Sequence, residues 1–194
     1  MLRAACFVPA LALCLPLSAT AQEARPDLAA LIECRGDLGQ LTAIAPLLED
    51  PLKAVALGWQ PLPQANMFMS EYRLLAPVRV FGHDTDHIAF SGGGVVAVLD
   101  LPDPRPLAKQ LELETAVDTP AKAMFGKEVR SEEIRDPASG KMLIDSAVLN
   151  VSNVSSHPGK TLAGCSYSLD LPGDEDEAEG GDEAPTPAPV SQPG

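Results

Sequence analysis

The sequence predicts a two-layer α+β domain, with short N-terminal helices packed on one face of a mostly antiparallel sheet and one disulfide joining them. Three observations carry this reading. Helical spacing and cap signals crowd the N-terminal third, two-residue alternation governs most of the remainder, and two cysteines stand near the two ends of the patterned region.

The helices come first in the chain. Leu28, Leu31 and Ile32 have the spacing of one helix face, and Cys34 closes that pattern. Asp37 with Gln40 forms a capping-box pair ahead of Leu38, Leu41, Ala45 and Leu48, and Pro46 is placed to kink or split this second helix. Asp50-Pro51 starts a further short helix that ends at Gly58, because aspartate caps free amides and proline suits the first helical position. Asp103-Pro104 and Thr119-Pro120 repeat the start signal, the latter running to Gly126.

The strands read as follows. Val78 to Gly82 and His87 to Phe90 flank an expected loop at Asp84-Thr85-Asp86, with His83 opposite His87; Gly92-Gly93-Gly94 then leads into Val95 to Leu99. Pro137-Ala138-Ser139-Gly140 suits a four-residue hairpin loop with glycine left-handed at its end, which sets Asp136 against Lys141. The arm from Lys127 to Arg135 is dense in charge, as an exposed edge is, whereas Leu143 to Val151 is apolar enough to be central. Alternation in the last strand puts Ala163, Cys165, Tyr167 and Leu169 on one face, with Cys165 buried.

Domain organisation follows from composition. Residues 1–21 combine Arg3, an apolar run from Ala4 to Leu17, and Ala19-Thr20-Ala21, the order of a cleaved signal peptide whose mature product begins at Gln22. The apolar run falls short of the roughly 20 residues that cross a bilayer, and no later stretch approaches that length, so no transmembrane segment is expected in the mature chain. Residues 22–172 form one domain. Residues 173–194, with seven acids followed by Pro185, Pro187, Pro189 and Pro193, read as a disordered acidic proline-rich tail.

Cys6 and Cys14 leave with the signal, so Cys34 and Cys165 are expected to pair in an oxidising compartment, periplasmic or secreted. A bridge across so much chain contributes roughly 5 kcal/mol by loop entropy.

The net charge of -13 excludes nucleic acid as a natural partner and favours a basic one, an extracytoplasmic protein in particular. Gly159-Lys160-Thr161 ends like a phosphate loop, but Val154 stands where its first glycine belongs. There is no Gly-x-Ser-x-Gly elbow and no catalytic residue is assigned. No cofactor signature appears, apart from what His83, Asp84, Asp86 and His87 offer a divalent metal, since imidazole and carboxylate are both ligands. Trp59, Met67, Phe68 and Met69 concentrate large apolar side chains and form a candidate binding loop. The leading expectation is a non-enzymatic extracytoplasmic binding or inhibitor module; the alternative is a metal-binding protein or metal-dependent enzyme using the His83 to His87 cluster.

Overall fold

The computed structural model describes residues 25–173, so the expected signal peptide and all of the acidic tail beyond Gly173 lie outside the described residues. Four short helices come first among the described residues: α1 (Leu28–Ile32), α2 (Leu38–Thr42), α3 (Ala45–Glu49) and α4 (Pro51–Ala56). Strands β1 (Trp59–Pro61), β2 (Ser70–Val80), β3 (His83–Ser91) and β4 (Gly94–Leu99) follow, then α5 (Arg105–Gln110). The last strands among the described residues are β5 (Glu114–Asp118), β6 (Ala123–Arg135), β7 (Met142–Ser152) and β8 (Thr161–Asp170). No described helix is long and apolar enough to cross a membrane.

All eight strands join one sheet in the order β1-β2-β3-β4-β8-β7-β6-β5, and every ladder is antiparallel. Two four-stranded meanders therefore meet where β4 bonds to β8. The backbones approach closely there: a side chain at Gly164 would put its Cβ 2.6 Å from the Val96 Cα, so only glycine fits.

The caps form as their residues dictate. Asp27, Asp37 and Asp50 each accept a hydrogen bond from a first-turn amide, and Asp37 with Gln40 completes the capping box. Pro46 splits the second helical pattern into α2 and α3 by occupying the first turn of the latter. Past the end of α1, Cys34 takes a left-handed φ of 57°. Its N–H donates to the Leu31 carbonyl while that of Arg35 donates to Ala30, a Schellman arrangement that normally takes glycine.

Cys34 and Cys165 are bonded across a sequence separation of 131. The same helix end is held twice more: Tyr167 Oη donates to the Leu31 carbonyl at 2.7 Å, and Arg130 Nη1 donates to the Gly36 carbonyl at 2.9 Å. Leu31 and Ile32 thereby join Tyr72, Ile88, Phe90, Val95 and Cys165 in the main buried cluster. Met69, Ala89, Val98 and Leu162 form a smaller one, on the other face of the sheet by strand alternation.

The structure corrects three expectations. The β2–β3 turn is Phe81-Gly82, not Asp84-Thr85-Asp86, and Val80 rather than His87 lies opposite His83. Both turn residues have positive φ, 51° and 86°, as a two-residue type I′ hairpin requires. Phe81 is held in this conformation by its N–H, which donates to Glu33 Oε1 at 2.8 Å, and by its ring, which joins the main cluster.

Thr119-Pro120 opens no helix. Thr119 and Lys122 instead close the turn between β5 and β6, and Ala123 and Phe125 alternate into the core. Finally, β2 begins at Ser70, eight residues before the expected strand at Val78, and pairs with β1, which holds Trp59 of the expected binding loop. The remaining hairpins form as expected: Asp136 N–H donates to the Lys141 carbonyl with Gly140 at φ 70°, and Gly92-Gly93 turns β3 into β4. β5 covers only residues 123–126 of β6, which leaves the charged stretch from Lys127 to Arg135 without a neighbour on that side.

Replacing Cys34 and Cys165 by serine is expected to lower the unfolding free energy by roughly 5 kcal/mol. Urea unfolding of the variant against the oxidised protein measures the difference, and an unchanged midpoint would contradict the staple described above.

Candidate functional site

The face of the sheet that carries the smaller cluster also carries the most concentrated chemistry. Register sets Glu71 opposite Ala89 and Arg73 opposite His87 on β2 and β3. The connection between β7 and β8, residues 153–160, brings His157 onto the same group. That connection is anchored by local bonds. Asn153 exchanges hydrogen bonds with Ala123, Lys160 pairs with Asp100, and Thr161 Oγ1 donates to the Leu101 carbonyl. Val154 packs on the smaller cluster, and Gly159 supplies the left-handed turn before Lys160. Gly159-Lys160-Thr161 is thus a turn into β8.

Glu71 is the centre of the group. Its side chain is 3% exposed, and Oε2 lies 2.9 Å from His87 Nε2 and 3.0 Å from His157 Nε2. Glu71 Oε1 is buried without any hydrogen-bond partner. His157 is likewise buried, while His87 is 20% exposed, and their ring centroids stand 5.9 Å apart. One ligand atom from each of the three residues lies within 4.8 Å of the others, and among the described residues no other group of histidine, cysteine and carboxylate side chains meets this test.

Burial alone would raise the Glu71 carboxyl, but hydrogen bonds from His157 and His87 outweigh it and hold the group below its ordinary value of 4.5. Glu71 is therefore a carboxylate at neutral pH, and both Nε2 atoms must donate to it. The chain of bonds continues outward: His157 Nδ1 lies 3.0 Å from Ser156 Oγ, which accepts from Asn66 Nδ2 at 3.4 Å. With both imidazoles neutral, Ser156 O–H donates to His157 Nδ1, and every donor in the row has one acceptor.

On its exposed side His87 borders an open polar cavity of 310 Å³, lined also by Arg73, Asp84, Asp86, Asp100 and Lys160. Lys160 holds the Asp100 carboxyl below its usual range through their hydrogen bond. Arg79 pairs with Asp84 at 3.0 Å and Arg73 with Asp86 at 3.6 Å. Thr85 Oγ1 donates to the Val98 carbonyl at 2.8 Å, tying β3 to β4 beyond their last paired residues.

Of the four metal candidates read from the sequence, only His87 joins the cluster. Asp84 and Asp86 are engaged by arginines, and His83 stands at the first position of β3 beside the turn. Glu71 and His157 escaped the sequence reading. The available signals were an isolated acid inside the apolar stretch from Met67 to Leu75 and the third of only three histidines.

The expected binding loop divides among three places. Trp59 is buried and packs on Tyr72 and Phe90 in the main cluster, Met69 is buried in the smaller one, and Met67 and Phe68 are exposed at the tip between β1 and β2. That tip is braced by Gln64 Nε2, which donates to the Met67 and Met69 carbonyls, and by Asn66 Oδ1, which accepts from Phe68 N–H.

Comparison with protein-family models, with curated proteins and with solved structures returns no match to this chain.

Because the Glu71 carboxyl is depressed in the folded state, its contribution to stability is complete above 4.5 and is lost as pH falls through the lower folded value. Wild-type protein is expected to lose more stability than Glu71→Gln between about pH 5.5 and pH 3.5. Urea midpoints across that range test this; parallel slopes for the two proteins would show that the carboxylate is not stabilised by its neighbours.

Proposed function

We propose that this is an extracytoplasmic protein, periplasmic or secreted, that binds a divalent transition metal through Glu71, His87 and His157. The observation that carries the reading is the convergence of three ligand atoms within 4.8 Å around a buried carboxylate with one oxygen unpartnered. A buried acceptor left without a partner costs about 1–3 kcal/mol, and a metal ion, or water held on one, gives it a role.

The donor set suits zinc or a neighbouring first-row ion, because two imidazoles and a carboxylate are borderline ligands. Two edges of the cluster, 2.9 and 3.0 Å, are close to the roughly 3.3 Å that bonds of about 2.0–2.1 Å span at tetrahedral angles. Binding needs little movement: each imidazole would pass its single proton from Nε2 to Nδ1 by exchange with solvent and stay neutral, and Ser156 would turn from donor to acceptor for His157 Nδ1–H, a usual support for a ligating histidine. Three protein ligands leave a coordination position for water or for a partner's group, and His87 opens toward the polar cavity.

The export that this reading includes rests on the N-terminal sequence pattern and agrees with the Cys34–Cys165 bond. We read the helices as one layer over the face that carries Cys165, which leaves the opposite face free to present the metal site. A second reading, a surface-binding module with a basic protein partner, is favoured by Met67 and Phe68, 78% and 75% exposed on a braced loop in an acidic chain.

Zinc at about 100 times its Kd is expected to stabilise the full chain by roughly 2.7 kcal/mol, a rise in Tm of about 5–10 °C. His87→Ala and His157→Ala should each abolish the rise, whereas Asp84→Asn and Asp86→Asn should keep it. A zinc-independent Tm with no metal retained on equilibrium dialysis would refute the proposal.

A further inference from the structure

A second cavity lies away from the histidine cluster, among the N-terminal helices. It measures 600 Å³, and Leu31, Ile44, Leu47 and Leu57 supply much of its wall, with Arg25 and Lys53 also on the lining. That volume falls within the roughly 300–1,000 Å³ of small-molecule sites. Apolar walls are what α1, α2, α3 and α4 leave between them, because each helix is only five or six residues long and cannot close over its neighbour.

The charge on the lining runs against the rest of the chain. In a protein of net charge -13, two basic side chains stand on this lining, and neither Arg25 nor Lys53 makes an ion pair among the described residues. The lining acid, Asp27, already accepts a hydrogen bond from the Ala30 amide as the cap of α1. The cavity thus combines an apolar interior with two cations that have no counter-ion among the described residues.

We infer that this cavity binds an amphipathic organic anion, a medium-chain carboxylate in chemical class, with its acyl chain against Leu31, Ile44, Leu47 and Leu57 and its carboxylate between Arg25 and Lys53. The apolar body removes chain surface from water at about 25 cal/mol per Å². The headgroup gains charge-assisted hydrogen bonds that a neutral or cationic amphiphile lacks. A built-in reporter stands nearby. Trp59, the sole tryptophan, lines an adjoining cavity of 220 Å³ that shares Arg25, Pro26, Asp27 and Leu57 with the cavity of 600 Å³.

Calorimetric titration of the full chain with decanoate, below its micellar concentration, tests the inference, with decyltrimethylammonium as the arm of opposite charge. One equivalent of decanoate is expected to bind and to shift Trp59 emission. The Arg25→Gln/Lys53→Gln double variant should bind it at least about tenfold more weakly with an unchanged Tm, both residues being exposed. Equal binding of the cationic amphiphile, or full affinity in the double variant, would overturn it. So would absence of uptake, whether light scattering then shows a second copy seated on this face or removal of residues 174–194 restores binding and so points to the chain's own acidic segment.

Discussion

The pairing of β4 with β8 is the constraint on which the rest of the molecule hangs. Each meander by itself is a run of hairpins closed by local turns, and such hairpins are marginal until a third element covers them. The β4–β8 ladder runs from Gly94 opposite Ser166 to Leu99 opposite Thr161 and makes one sheet of the two. Gly164 permits the contact, since Val95 and Val96 occupy the space a side chain would take. β8 then fixes the helices as well. Cys165 bonds Cys34, and Tyr167 reaches the Leu31 carbonyl from the same face of the strand. The helices depend on this, because isolated helices of five or six residues are far below the length that is stable in water.

The other face of the same sheet follows from the same ladder. With β8 in place, the β7–β8 connection must cross the smaller cluster, and its anchors at Asn153, Lys160 and Thr161 carry His157 to the Glu71 carboxylate. His87 arrives from β3 because the β2–β3 turn lies at Phe81-Gly82, which sets His87 opposite Arg73 well inside the ladder. Hydrogen bonds from these two imidazoles hold the Glu71 carboxyl below its ordinary value against its burial, and its second oxygen has no partner among the described residues. The three ligand atoms of this hydrogen-bonded cluster lie within 4.8 Å of one another, the spacing on which the proposed metal binding rests.

Much of the fold was legible in the sequence because its signals are local. The capping box at Asp37 and Gln40, the proline that splits α2 from α3, the loop at Pro137 to Gly140 and the buried face of Cys165 all depend on residues within a few positions. The Phe81-Gly82 turn was not legible. Asp84-Thr85-Asp86 has the composition of a loop, but the left-handed Phe81 is supported by Glu33, forty-eight residues earlier, which accepts its N–H, and by the packing of its ring in the main cluster. The Thr119-Pro120 segment failed similarly, since its helix-start residues serve equally well to close a turn before a strand. The cluster itself joins residues 71, 87 and 157, and the two longer links are set by register and by a connection crossing the sheet. Local pattern contains neither, which is why only His87 was found.

X-ray absorption at the zinc edge of the loaded full-length protein addresses the central claim most directly, because it reads the atoms around the ion. The account predicts two imidazole ligands with nitrogen at about 2.0–2.1 Å and the remaining scatterers oxygen, with one imidazole lost in His157→Ala. A spectrum without imidazole scattering, or one that His157→Ala leaves unchanged while His83→Ala alters it, would contradict the assignment of the site to Glu71, His87 and His157.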